Sequence, residues 1–271
     1  MALICVTSAH GAPGATMLSL LAAGCWPRAA VVVEADPSGG VLAVRYGLGR
    51  TPGLADLVAA VDTYAPASAL WNSAQLLPGG LRVVPAPESG EVSVGILDDA
   101  AGPLAGWLRR LEEVDVIVDC GRSHPGSPAV ALMSGADVVL VVARATADQL
   151  YPSAHRAHAL ATQSGCPQLG LVLVGNGPYR PEEVTAQLQV PVLGVVDDDT
   201  RTARSYAGGG GGGGRAVRRS PLVRSVNVLV EALAAQLGVP AETEVPAHIN
   251  PTLAGGDRRP TRVASAGGAP S

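Results

Sequence analysis

Short apolar runs, most of them rich in Val, recur along this chain with helical patterns between them, and that alternation is what confines its fold. The runs are Ala2–Thr7, Ala29–Glu34, Leu81–Pro85, Val114–Asp119, Asp137–Ala143, Leu169–Val174 and Pro191–Val196. Each is short for a helix, and most carry the β-branched residues that suit strands buried on both faces. Between them Thr16–Cys25, Leu97–Leu111, Ala147–Gln163, Pro181–Leu188 and Pro221–Leu237 read as helices. In the last, Leu222, Val226, Leu229, Val230, Leu233 and Leu237 return at helical spacing and form one apolar face. Strands that alternate with helices imply parallel pairing with crossovers on both sides. The expected fold is α/β: a mostly parallel, twisted sheet of about seven or eight strands with helices on both faces, in three layers.

Composition agrees with a large buried core. Hydrophobic residues make up 47% of the chain and charged residues 15%, against about 25% charged in an ordinary soluble domain. One domain is expected over residues 1–241, interrupted at 208–214 by seven glycines that hold no single backbone conformation and read as a mobile loop. From 242 to 271 Pro, Gly, Ala and Arg follow without periodicity, the composition of a disordered tail. Met1 to Thr7 is strand-like and runs into a glycine-bearing loop, so no signal peptide is expected. The apolar runs fall short of the ~18 residues that span a bilayer, and the tail has no apolar face for direct membrane insertion. The expected compartment is the cytoplasm, with recruitment to a membrane by a partner left open. Cys5, Cys25, Cys120 and Cys166 lack metal-ligand spacing and read as reduced core thiols. The net charge of −4 creates no general attraction for nucleic acid or anionic membrane. All 19 basic residues are Arg, which excludes any chemistry that needs a lysine ammonium or Schiff base.

Chemistry concentrates where the first strand ends. Thr7-Ser8-Ala9-His10-Gly11-Ala12-Pro13-Gly14-Ala15-Thr16 passes directly into a helix. A glycine-bearing turn there points backbone N–H groups at one spot, backed by the helix dipole, which makes an anion site. The second strand ends in Glu34-Ala35-Asp36 and a later one in Val118-Asp119. Carboxylates at the ends of neighbouring parallel strands face the same sheet edge, where ligands of open α/β sheets bind. Such acids can hold Mg²⁺ through water and orient an attacking water. They can equally cap the turns after their strands.

In their order these segments resemble the MinD/ParA ATPases, a P-loop NTPase group. Ala9–Thr16 aligns without a gap to that family's loop GKGGxGK[ST], Glu34–Gly39 resembles its D-x-D-P-x-G segment, and Val116–Asp119 resembles its Walker B strand. Asp137–Gln149 is similar to its ADxVLVV strand and following helix, and Val172–Asn176 to the strand whose Asn contacts adenine. Val190–Asp198 resembles its "lgvpvlGvipdD" stretch, and Ser220-Pro221-Leu222 its "SPl" helix start, so the match covers roughly residues 1 to 238. The resemblance implies ATP or ADP with Mg²⁺ as cofactor, bound at Gly11, Ala12, Pro13, Gly14, Ala15, Thr16 and Asn176. It implies Thr16, Asp36 and Asp119 around Mg²⁺, directly or through water, with Asp36 positioning the attacking water.

The loop departs from the family pattern where charge matters most. Ala9 and Ala12 replace glycines, His10 stands in place of the signature lysine that reaches a partner subunit's nucleotide, and Ala15 replaces the Walker A lysine. Loss of a charge-assisted contact to phosphate removes roughly 1.5–3 kcal/mol, and phosphoryl transfer depends on such stabilisation. Slow or absent hydrolysis with weak nucleotide binding is therefore expected. His10 is either a donor to phosphate or a solvent-exposed loop residue.

The leading reading is a nucleotide-binding or pseudo-ATPase regulatory or positioning subunit. It would self-dimerise or join a machinery in pilus or secretion assembly, or in septum or chromosome positioning. An active ATPase with an arginine in the lysine's place is an alternative. A partition protein that binds DNA non-specifically is another, because six arginines and no acid lie between 201 and 224, with Arg215, Arg218 and Arg219 as candidate contacts. A dinucleotide oxidoreductase stays open on Glu34 alone, which stands about where a ribose-binding acid belongs.

Overall fold

The computed structural model describes residues 1–11, 14–61, 66–112, 114–207 and 219–240. At its centre lies a sheet of eight strands: β1 Leu3–Ser8, β2 Ala30–Glu34, β3 Gln75–Leu76, β4 Arg82–Val84, β5 Asp115–Arg122, β6 Val138–Arg144, β7 Leu169–Val174 and β8 Val192–Val196. Their spatial order is β3-β4-β2-β5-β1-β6-β7-β8. Every adjacent pair is parallel except β3–β4, an antiparallel pair at the edge. The described helices are α1 Ala15–Cys25, α2 Leu42–Tyr46, α3 Leu54–Val61, α4 Ser68–Ser73, α5 Gly90–Leu108, α6 Ala129–Ser134, α7 Ala147–Ser164, α8 Pro181–Leu188, α9 Thr200–Ala207 and α10 Pro221–Gln236.

Side-chain alternation along the strands builds the layers. Leu3 and Cys5 of β1 enter one core with Leu97 and Leu104 of α5, Leu132 of α6 and Leu160 of α7. Ile4 and Val6 enter the other, with Leu18 and Leu21 of α1 and Val226 and Leu229 of α10. A one-residue slip would exchange the two faces, so the register is strongly specified. Two acids, the buried Asp115 and the half-buried Asp137, secure the amino edge of the sheet. Asp115 accepts the Ala2 N–H at 2.6 Å and the Trp26 indole N–H at 2.7 Å, and Asp137 accepts the Leu3 N–H at 2.8 Å.

All seven strands expected from the apolar runs are present, within two residues of their expected bounds at most ends. The two-residue β3 carries no pattern of its own and is recruited by pairing to β4. Helix α5 begins at Gly90, not Leu97, because the Ser89 side chain caps it by accepting the Val92 N–H. The short helices α2, α3, α4, α6 and α9 fill loops and have too few turns to show a period. On α10 the expected face is real, since Leu222, Val226, Leu229, Val230 and Leu233 are buried. The glycine run at 208–214 and the stretch 242–271 lie outside the described residues. Among the described residues no helix is long and apolar enough to cross a membrane, and all four cysteines are free thiols.

Candidate functional site

The carboxyl ends of β1, β2 and β5, three neighbouring strands, meet at the amino end of α1. Gly14 is the helix N-cap, at φ 96° and ψ 26°, a left-handed conformation that favours glycine, and no side chain caps the turn. The first N–H groups of α1 lack intrahelical acceptors, and no acidic residue occupies its first turn. An anion is the complement such a helix start favours. Ala12 and Pro13 lie outside the described residues. Gly11 is exposed and Thr16 is half-buried. The Ala15 methyl belongs to the apolar core behind the loop and is 7% exposed, so position 15 carries no polar group. His10 is exposed, its Nδ1 3.2 Å from the carbonyl of Ala9.

Asp36 and Asp119 each close a turn of two residues. Asp36 Oδ1 accepts the Ser38 N–H at 2.7 Å, and Asp119 Oδ1 accepts the Gly121 N–H at 3.1 Å. The turn-capping role is thus real for both acids, and it occupies only one oxygen of each. Asp119 is 1% exposed, and its Oδ2 is buried with no hydrogen-bond donor. Burial pushes its pKa up to about 6, the charge of Asp36 adds to the rise, and the nearby Thr16 hydroxyl, the Gly121 N–H and Arg45 oppose it. Thr16, Asp36 and Asp119 are therefore gathered at one place. Among the described residues no three His, Cys, Asp or Glu side chains form a metal cage. Mg²⁺ commonly needs only one or two carboxylates, with phosphate oxygens and water completing its shell. The orphaned Asp119 oxygen beside Thr16 and Asp36 fits that donor set.

What holds these acids together is Gly121, a residue the sequence alone did not single out. Its φ is +57°, and a Cβ there would overlap the Asp36 carboxylate, so β2 and β5 approach this closely only with glycine at 121. The Thr7 hydroxyl donates to the Gly121 carbonyl at 3.0 Å and fixes that peptide from β1. Glycine two residues after a strand-end Asp was the available signal. Beyond it, the exposed Arg122 extends its guanidinium over the loop: a Cβ on Gly11 would collide with Nη2 of Arg122. Ser123 is pinned on both sides, its N–H donating to the Ser8 carbonyl at 2.9 Å and its Oγ accepting from Nε of buried Arg156 at 2.8 Å.

Glu34 proves structural, which corrects the assignment of a ribose acid. Its Oε1 accepts the N–H groups of Val41 and Leu42 at 2.7 and 3.1 Å, and its Oε2 accepts that of Ala86 at 3.0 Å. With its acceptor sites engaged and 1% exposure, it organises the loops after β2 and β4. Burial, aided by Asp119 and opposed by those N–H groups, raises its pKa to about 7. The oxidoreductase reading loses its one supporting residue.

A cavity of about 180 Å³ adjoins the loop at the ends of β6, β7 and β8, its walls including Gly14, Met17, Leu21, Arg144, Asp198 and Leu222. Arg144 pairs with Asp198 at 2.6 Å on the rim. Asn176 is exposed and is not among the residues that line this space. It sits in a tight turn between Gly175, at φ 74°, and Gly177, where a Cβ would strike the Ala145 carbonyl. Of the candidate DNA contacts, Arg219 is exposed just before α10, while Arg215 and Arg218 lie outside the described residues.

No protein-family model matches the chain, and no curated protein does. Solved structures do. The cell division ATPase MinD of Pyrococcus furiosus superposes with a TM-score of 0.68 at 17% identity, over 87% of this chain and 99% of that one. A ParA family ATPase from Chlorobium tepidum gives 0.70 at 17% identity, covering 86% and 98%. The septum site-determining protein MinD of Pyrococcus horikoshii, complexed with Mg-ADP, gives 0.70 at 16% identity, covering 88% and 98%. The chain has the MinD/ParA P-loop fold, and these structural neighbours are MinD and ParA ATPases.

Proposed function

We propose that this chain is a divergent MinD/ParA-like P-loop protein that binds ATP or ADP with Mg²⁺ weakly, hydrolyses it slowly or not at all, and acts as a regulatory or positioning subunit. Its partners are a second copy of itself or a component of a pilus or secretion assembly, or of a septum or chromosome positioning system. One observation carries the reading. Thr16, Asp36 and Asp119 surround an anion-favouring helix start whose lysine position holds only the buried methyl of Ala15. The phosphates would lie on the N–H groups of the Gly11–Thr16 loop. Thr16 and Asp119 would hold Mg²⁺, and Asp36 would orient water. The base would enter the cavity beside Gly14, with Asp197 and Asp198 as acceptors on its rim. The bound Mg²⁺ would supply charge neutralisation, which matters in a site with several carboxylates and no lysine.

Calorimetric titration of ATP and ADP, with and without Mg²⁺, tests this. Weak Mg²⁺-dependent binding that tightens in Ala15→Lys is the expected result; no binding by either form in any condition refutes it. Two other readings stay in play as proposals. An active ATPase with an arginine for the missing lysine is supported by the guanidinium resting on Gly11. A DNA-binding partition protein is supported by the exposure of Arg201, Arg204, Arg219 and Arg224 on and around α9 and α10.

A further inference from the structure

We infer that Arg122 supplies the phosphate-facing positive charge that this loop no longer carries at position 15; the inference rests on the nucleotide-binding reading and names the cation of that site. The sequence offers 19 arginines and no reason to prefer one. The fold singles out Arg122 through its backbone. Arg122 is the last residue of β5 and pairs, past a bulge after Val6, with Ser8, the last residue of β1 and the start of the phosphate loop. The next residue is fastened to β1 by the Ser8 carbonyl and to α7 by Arg156. A side chain leaving the chain at 122 therefore departs from a rigid base beside the loop.

Its guanidinium lies against Gly11, with Nη2 nearest and Cζ 3.3 Å from where a Cβ would stand. Gly11 thus leaves the room that the arginine fills. Two carboxylates are close in the fold, since Asp36 packs on Gly121 and Asp119 receives the Gly121 N–H. Neither takes the guanidinium: among the described residues Arg122 makes no ion pair and no hydrogen bond. A cation held beside an anion-favouring loop and left without a counter-charge matches a ligand that brings its own negative charge. Guanidinium offers a planar fork of donors suited to phosphate oxygens, and it keeps its charge at any physiological pH. Arginine reaching from the strand after the Walker B acid can do from across the loop what a lysine on α1 would do from beneath it. The half-buried Arg45 on α2, near enough to favour the charged form of Asp119, adds positive potential on the side of β2.

The experiment compares Mg·ATP and Mg·ADP binding by calorimetry in the full chain and in Arg122→Ala, Arg122→Lys, Ala15→Lys and the double variant Ala15→Lys/Arg122→Ala. Arg122→Ala is expected to weaken binding roughly 10- to 100-fold, the size of a lost charge-assisted contact. Arg122→Lys should recover part of that loss. In the Ala15→Lys background the same removal should cost much less, because the restored lysine takes over the charge. The Arg122 side chain is exposed and unbonded, so thermal unfolding of Arg122→Ala should match the wild type; Arg122→Gln, which keeps the side-chain bulk, serves as a second neutral variant should alanine disturb folding. Binding by the wild type that is unchanged or tighter in the neutral variants overturns the role of Arg122 and leaves the nucleotide-binding reading standing. Absence of binding in the wild type overturns both.

Discussion

Asp119→Asn should stabilise the metal-free protein, and the gain should depend on pH in a defined way. The Asp119 carboxylate is almost wholly enclosed, and its Oδ2 has no donor. Its pKa stands at about 6 against an ordinary 3.8, chiefly because burial penalises the charge. A carboxyl whose pKa is raised in the folded state adds no penalty while both states are protonated, below about pH 4. As pH rises from about 4 to 6 the folded protein must ionise a group that it disfavours, and stability falls. Above about pH 7 the loss reaches its full value, roughly 3 kcal/mol; at pH 4.5 it is about 1 kcal/mol. Asparagine keeps the carbonyl that accepts the Gly121 N–H and removes the charge. Urea unfolding in the presence of a chelator should show Asp119→Asn more stable than wild type, by about 1 kcal/mol near pH 4.5 and by 2–3 kcal/mol near pH 8, as rough figures. The same variant should lose whatever stabilisation Mg·nucleotide gives the wild type. Stability and binding moving in opposite directions is the mark of a strained site retained for use. A variant no more stable than wild type at pH 8, or a difference that ignores pH, would refute the reasoning.

Two further substitutions probe the site and its surroundings. Gly121→Ala combines a left-handed φ with a methyl placed on the Asp36 carboxylate, so a loss of roughly 2–5 kcal/mol in unfolding free energy is expected, together with loss of nucleotide binding; a stable variant that binds normally would show that Gly121 does not set the spacing of the acids. On the partition reading, Arg215→Ala/Arg218→Ala/Arg219→Ala should weaken retention on random duplex DNA and flatten its salt dependence by about three in the log–log slope, and an unaltered slope removes these arginines from any DNA contact.

The sheet was legible in the sequence because buried parallel strands announce themselves as short Val-rich runs, and the seven main strands did so. The convergence of the first loop with the strand-end acids Asp36 and Asp119 was legible for the same kind of reason, since each acid follows a buried run that ends at the same sheet edge. What the sequence withheld were relations between distant segments. Glu34 resembled a ligand-binding acid because its three partners, the N–H groups of Val41, Leu42 and Ala86, come from loops whose paths only the fold reveals. Gly121 was passed over because its significance lies in the carboxylate of Asp36, far away in sequence, and Arg122 because nothing local separates it from other arginines. Asn176 is fixed by its own neighbours, since Gly175 and Gly177 set it in an exposed turn.

Charge around the loop links these observations. Asp36 and Asp119 lie together, and Glu34 is close enough to Asp119 for that charge to raise its pKa. Against this acidic group stand the dipole of α1, the half-buried Arg45 and the guanidinium of Arg122, which has no ion pair among the described residues. A bare triphosphate approaching it meets like charge at close range, where repulsion is poorly screened. On the proposed nucleotide-binding reading, a triphosphate that carries Mg²⁺ would instead bring a dication to the acids, and the loop N–H groups and Arg122 would hold its oxygens. Metal and nucleotide should therefore bind cooperatively, with calorimetric affinity for ATP weakened in a chelator. With Arg122 facing the phosphates, part of that attraction should survive without metal, and equal affinity in the two conditions would mean that the acids do not face the ligand.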